Sequence, residues 1–155
     1  MMNDEYDQHD PALAVSLIRS YRQLTGRELV SRSLPTASAV RALYEAPFAV
    51  LAHNSEYDPK FTYANVTAQQ LFEMAWSEII GTPSRLSAEP LLREERQRLL
   101  ELVGHDGYIN DYKGIRISRT GKRFLLEGAT VWNLTDENGQ SIGQAAVFAH
   151  WEPVS

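Results

Sequence analysis

The chain of 155 residues contains no cysteine. That absence excludes disulfides, thiolate nucleophiles, cysteine-ligated zinc and cysteinyl flavin adducts. Long apolar runs are missing as well: "APFAVLA" is far shorter than the roughly 20 apolar residues needed to span a bilayer. The opening "MMNDEYDQHD" is acidic and polar, the opposite of a signal or transit peptide, so a cytoplasmic location without a membrane partner is expected. Histidines are few and spread out, with no HxH or HExxH pair, which gives no basis for a metal site. A formal charge of −5 disfavours non-specific nucleic-acid binding, whose affinity comes from phosphate neutralisation. The basic residues of "REERQR" alternate with glutamates, the pattern of a solvated helix face. Internal repeats and low-complexity tracts are also absent.

What remains is the composition of one globular domain, 43% hydrophobic and 23% charged, long enough for a single core. Asp10 can cap a helix that begins at Pro11 and places Leu13, Leu17, Tyr21 and Leu24 on one face, with Gly26 as its stop. Thr36 can cap a second helix carrying Val40, Leu43 and Tyr44, which must end before Pro47. "FAVLAHN" and "FTYAN" then read as strands about an Asp58-Pro59 turn, and Asn65 is placed to cap "VTAQQLFEM". A short turn of helix around Trp76, Ile79 and Ile80 closes at Gly81. A longer helix is expected from Pro90 to Val103, with Leu92, Leu99, Leu102 and Val103 inward and Gly104 ending it. The remainder, "YINDYKGIRIS", "RFLLEGATVWNL" and "IGQAAVFAHW", joined by "RTGK" and an Asn138-Gly139 turn, reads as a three-strand meander.

Two strands, short helices, a longer helix and a three-strand meander is the element order of a PAS domain. "FTYANVTAQQLFEMAWSEIIGTP" resembles the PAS core pattern of a Tyr-x-Asn strand end, a short helix and a Glu-Ile-Ile-Gly turn followed by proline. Together with "SRLSAEPLLREERQRLLE", "DGYINDYKGIRIS" and "ATVWNLTDENGQSIGQAAVF", it is similar to the MEKHLA domain, in its standalone bacterial form. The resemblance implies an α+β fold with a five-stranded antiparallel sheet and short helices on one face. Residues 47–155 would form the domain, and residues 1–46 an N-terminal helical extension. In plants the MEKHLA domain closes class III homeodomain-leucine zipper transcription factors as a regulatory module. The implied function here is therefore a non-enzymatic regulatory or sensory module. It would act through a protein partner or a homodimer formed by the N-terminal helix or the outer sheet face. The alternative is a small-molecule sensor with its ligand in the PAS cavity.

Within the resemblance, "GTPSRL" falls where flavin-binding light sensors carry Gly-x-Asn-Cys-Arg-Phe. Ser84 stands at the photoreactive cysteine and Arg85 at the phosphate-binding arginine. A serine hydroxyl offers no thiol route to a flavin adduct. The asparagines that hold the flavin ring would align with Arg116 and Leu126, and the glutamine with Ala145. Gln144 is adjacent, and strand alternation sends neighbours to opposite faces. Flavin is not expected, and haem is not expected because the helical side of the pocket carries no histidine. Local chain chemistry accounts for most of the loop: Gly81 as a stop, Pro83 extending Thr82, Ser87 or Glu89 as a cap with Pro90 inside. Arg85 is left open between clamping an anion and pairing with Asp58, Glu73 or Glu127.

His53 and Asn54 end the first strand near the implied cavity. Tyr63, Phe72, Trp76, Tyr108, Tyr112, Trp132 and Phe148 lie on elements that would enclose it, as core filling or as a ligand cage. The period-2 pattern of "DGYINDYKGIRIS" puts Ile115 and Ile117 on one face and Arg116 on the other. The candidate pocket set is thus His53, Asn54, Tyr63, Trp76, Ser84, Arg85, Tyr108, Tyr112, Arg116 and Trp132. A Ser84–His53–Asp58 hydrolase triad can be drawn but lacks a G-x-S-x-G elbow and oxyanion glycines, so no catalytic residue is expected.

Overall fold

The computed structural model describes residues 11–88 and 93–154, except for the side chains of residues 93, 96, 100 and 104–106. The roles expected of Asp10, Glu89, Pro90 and Leu92 lie outside the described residues. Two helices come first, α1 (Pro11–Thr25) and α2 (Thr36–Tyr44), followed by strands β1 (Ala49–His53) and β2 (Phe61–Ala64). Short helices α3 (Val66–Phe72) and α4 (Trp76–Ile79), a 3-10 turn (Ser84–Ser87) and α5 (Arg93–Asp106) lead to β3 (Tyr108–Ile117), β4 (Arg123–Thr135), β5 (Ser141–Phe148) and β6 (His150–Val154). The sheet is antiparallel in the order β2-β1-β5-β4-β3, with β6 on β4.

Six strands replace the five expected, and the length of β4 is the reason. Its upper half, Thr130–Thr135, pairs with β5, which leaves Arg123–Glu127 to be paired by β6. Gly128, at φ +65°, sits between the halves of β4, and Ala149 interrupts β5 and β6 at the matching level. Other expectations shift locally. Helix α2 begins at Thr36 with Pro35 in the cap position and no side-chain cap. Helix α5 runs past Gly104 to Asp106, Gly107 follows at φ +95°, and Leu102 is exposed while Leu99 and Val103 are buried.

Both faces of the sheet are covered. On the outer face, α1 and α2 bury Ala14, Leu17, Tyr21, Leu43 and Tyr44 against Val50, Ala52, Tyr63, Trp132, Leu134 and Ala145. On the inner face, α3 and α4 pack Ala68, Phe72 and Ile79 against Leu51, Phe61, Phe124, Leu126, Ala129 and Phe148. Helix α5 adds Leu99 and Val103 over Val131. The apolar stripe predicted on α1 is therefore spent on the chain's own sheet.

Asn65 joins these layers. It caps α3 by accepting from Ala68 N at 3.1 Å, and the same fully buried carboxamide oxygen accepts from Val50 N at 3.0 Å. Its amide donates to Leu43 O at 3.1 Å and Phe48 O at 2.8 Å, tying the end of α2 to β1. At the other end of the sheet, Glu73 occupies a left-handed cap position at φ +60° and accepts from Ser118 and Thr120 in the β3–β4 turn. Those bonds hold the Glu73 carboxyl below its usual range, with a smaller contribution from Lys122.

Asn65→Ala removes four hydrogen bonds and leaves buried peptide groups unpaired. At roughly 1–3 kcal/mol for each unsatisfied group, urea unfolding should show a loss of about 3 kcal/mol or more. A loss under about 1 kcal/mol would mean that water replaces the carboxamide. Because the folded pKa of Glu73 is depressed, its contribution is present above the unfolded value, about 4.3, and is lost as pH falls through the folded value. The melting temperature of Glu73→Gln should therefore fall less steeply than that of the parent as pH is lowered from about 5.

Candidate functional site

The site follows from how the strands divide their side chains between two buried faces. Directly opposed residues of antiparallel strands share a face. Trp132 opposes Ala145 on the outer face, and Val131 opposes Ala146 on the inner one. His53 opposes Gln144 at the inner, upper end of β1 and β5, and Gln144 opposes Asn133 on β4. On β3, Arg116 opposes Phe124 and Tyr112 opposes Ala129, both on the inner face. His53, Tyr112, Arg116, Ala129, Val131, Gln144 and Ala146 line a cavity of about 70 Å³ between the inner sheet face and the helices, with apolar walls from Phe72, Leu99, Leu126 and Phe148.

Besides Ser87 and Tyr112, three polar groups stand in that apolar lining. Arg116 is half-buried; its Nη1 donates to Ile115 O at 2.9 Å and its Nη2 to Tyr112 Oη at 3.3 Å, with the guanidinium carbon 5.6 Å from the Tyr112 ring centroid. Among the described residues no carboxylate pairs with it. Gln144 Nε2 donates to Asn133 Oδ1 at 3.3 Å, and His53 Nδ1 donates to Asn54 O at 2.9 Å. His53 and Gln144 also line a more open polar recess of about 330 Å³, whose rim includes Asn54, Glu56, Gln97 and Glu101.

Of the candidate set, His53, Tyr112 and Arg116 line the cavity, and Asn54 lines the recess beside it. Tyr63, Trp76, Tyr108 and Trp132 belong to the outer cluster under the N-terminal helices. Tyr63 and Trp76 meet edge to face at 5.7 Å, and Trp132 Nε1 donates to Ser20 Oγ at 3.0 Å. Ser84 is fully buried in the 3-10 turn, its backbone N–H bonded to Pro59 O. Arg85 settles on the surface, its Nε 3.1 Å from Asp58 Oδ1, with both side chains more than two-fifths exposed. The drawn triad does not assemble, because Asp58 serves Arg85 and His53 Nδ1 bonds a main-chain carbonyl.

Gln144, expected on the face opposite the flavin-type contact, and Asn133, outside the expected set, both belong to the site. The sequence reading aligned Ala145 with the inward glutamine of flavin domains, whereas the register turns Gln144 inward and Ala145 outward. The available signal was Gly143. A Cβ there would lie 1.8 Å from His53 O, so the glycine marks a close strand approach beside an inward polar residue. Helix α5 also runs through His105, so the helical layer does carry a histidine in its sequence, although its side chain is outside the described residues.

The strand order and the helical inner layer define a PAS fold with a two-helix cover on its outer face. Solved structures agree. A PAS domain from Colwellia psychrerythraea superposes with TM-score 0.63 at 14% identity, over 76% of this chain and 95% of that one. An RNA-binding light-oxygen-voltage receptor gives TM-score 0.63 at 20% identity, over 80% of this chain and 36% of the receptor. A PAS domain in complex with ethanol, from a LuxR-family transcriptional regulator of Burkholderia thailandensis, gives 0.54 at 18% identity, over 74% and 95%. Among curated proteins none matches the sequence. The MEKHLA domain model matches residues 12–153, so the chain belongs to the MEKHLA domain family, and the match takes in α1 and α2 as well as the sheet.

Gly114 gives this site its most local constraint. A Cβ at that position would lie 2.5 Å from Tyr112 Oη and 2.8 Å from the ring, so the tyrosine lies across a glycine backbone to reach Arg116. Gly114→Ala should swing Tyr112 away and release the guanidinium. The expected signature is a shifted Arg116 Nε–Hε resonance, with Tyr112 ring resonances more exposed to solvent and the outer-face Trp132 signal unchanged.

Proposed function

We propose that this domain is a non-enzymatic regulatory module of the sensory kind, in which a small molecule enters the inner cavity and the outer helices report it. The observation that carries this reading is the placement of cavity and cover on adjacent residues of the same strands. Val131 and Ala146 face the cavity, while Trp132 and Ala145 face α1 and α2. A change in volume on one face therefore acts on residues bonded directly to those anchoring the helices. Interiors packed at crystal-like density transmit such strain rather than absorb it. The ethanol-bound PAS domain is a precedent within the fold for an occupant this small.

The cavity size also favours a small ligand over a flavin, since drug-sized molecules occupy pockets of roughly 300–1,000 Å³. Among the described residues no group of histidine, aspartate and glutamate could hold a metal ion. No described helix is long and apolar enough to cross a membrane. Homodimerisation is the second reading. It would use the groove between α1 and α2, where Val15, Ile18, Val30 and Leu34 lie, because α1's main stripe is already buried.

Native mass spectrometry of protein purified from its own host, paired with hydrogen exchange, tests the sensory reading. A bound small species is expected, and Ala146→Leu, which fills the cavity, should expel it and alter exchange in α1. An apo mass under all growth conditions, with α1 exchange unmoved by Ala146→Leu, would overturn it.

A further inference from the structure

We infer that the ligand of the inner cavity is a short monocarboxylate, bound with its carboxylate on Arg116 and its apolar end against Leu126 and Phe148. The inference rests on the sensory reading above and names its ligand class.

Three observations carry it. Arg116 has five N–H donors, and the structure gives it one main-chain carbonyl and one tyrosine hydroxyl, both neutral acceptors. Several surface cations have a carboxylate at hand, Arg22 with Glu28, Arg41 with Glu45, Lys60 with Glu56, Arg85 with Asp58 and Arg119 with Glu78, whereas Arg19 and Arg27, like Arg116, bond neutral acceptors among the described residues. Arg116 has no carboxylate among the described residues, and it lines the apolar inner cavity, where an ionic partner is worth most. A planar guanidinium with unused N–H groups is the natural complement of a carboxylate.

Charge and volume narrow the class. One guanidinium balances one negative charge, and Glu101 at the rim of the adjoining recess opposes a second, which disfavours phosphate esters and dicarboxylates. A cavity of about 70 Å³ suits a ligand of a few non-hydrogen atoms, on the order of acetate or propionate. The walls beyond Arg116 are aromatic and aliphatic, suited to an alkyl end, while Gln144 and His53 lie toward the recess that provides a way in. Tyr112, held across Gly114, is the positioning residue that keeps the guanidinium at the cavity.

The test is an NMR titration of the full chain with sodium propionate, with propionamide as a neutral analogue of the same shape and xenon as a probe for the cavity itself. Propionate should shift the Arg116 Nε–Hε signal and the Leu126 and Ala146 resonances. Propionamide should bind at least about ten-fold more weakly. Arg116→Gln should weaken propionate by roughly ten- to a hundred-fold, the effect of losing a charge-assisted bond, and Arg116→Lys should restore part of it. The Trp132 indole signal serves as the control that each variant is folded. Equal binding of propionate and propionamide, or propionate binding unaffected by Arg116→Gln, overturns the carboxylate assignment and leaves the cavity reading standing. If neither compound nor xenon perturbs Leu126 or Ala146, both fall together.

Discussion

A hydrogen bond buried between α1 and the sheet fixes which side chains reach the cavity. Trp132 Nε1 donates to Ser20 Oγ, and Ser20 in turn donates to Ser16 O within α1. Tyr21 closes over the indole edge to face at 4.9 Å. An indole N–H buried without an acceptor carries a desolvation cost, so Trp132 is held outward, toward the Ser20 hydroxyl of α1. Alternation then fixes its neighbours. Val131 and Asn133 turn inward, and the paired strand follows with Ala146 and Gln144. The inner polar set is thus a consequence of an outer-face contact made by a helix far away in sequence.

The element order was readable from periodicity, turn residues and the family resemblance, and Asn65 was readable as a helix cap because its position before "VTAQQLFEM" is local information. Facing was not readable wherever a bulge changes the count. Tyr108 and Tyr112 are an even number of residues apart and should share a face, but Asp111 adopts φ +55° and adds a residue to β3 between Ile109 and Tyr112. Tyr108 consequently opposes Trp132 outside and Tyr112 opposes Ala129 inside. Between Tyr112 and Gly114 the extra residue falls on β4 instead, near Gly128, and returns the strands to register. Aspartate tolerates the left-handed region, but nothing in the surrounding sequence says that this one must occupy it. The same limit explains Tyr63 and Trp76. Their aromatic character marked them for an interior without saying which of two interiors they occupy.

The two arginines show how little an isolated residue says about its setting. Arg85, within a loop that aligns with a flavin-binding segment, is open in sequence between an anion clamp and an ion pair, and Asp58 on the neighbouring β1–β2 turn takes it at the surface. In water such a pair contributes little, roughly 0–1 kcal/mol. Arg116, in a strand whose pattern is simple alternation, bonds only neutral acceptors among the described residues and lines the inner cavity. The difference lies in neighbours brought together by topology, which spacing along the chain does not encode.

A sheet buried on both faces changes what occupation of the inner cavity can do. In a sheet with one solvated face, a strand displaced by a ligand moves into water at little cost. Here displacement of β4 or β5 presses on Trp132 and Ala145, which are fully packed beneath α1, and on Arg19, whose Nη2 donates to Thr135 O at the end of β4. The response must appear as motion of the helical cover or as a change in strand pairing. Strand pairing is the stiffer of the two, since β4 is bonded on both edges along most of its length. The cover is held by side-chain packing and a few side-chain hydrogen bonds, so under the proposed sensory function the outer helices are the element through which occupation of the cavity would reach the surface.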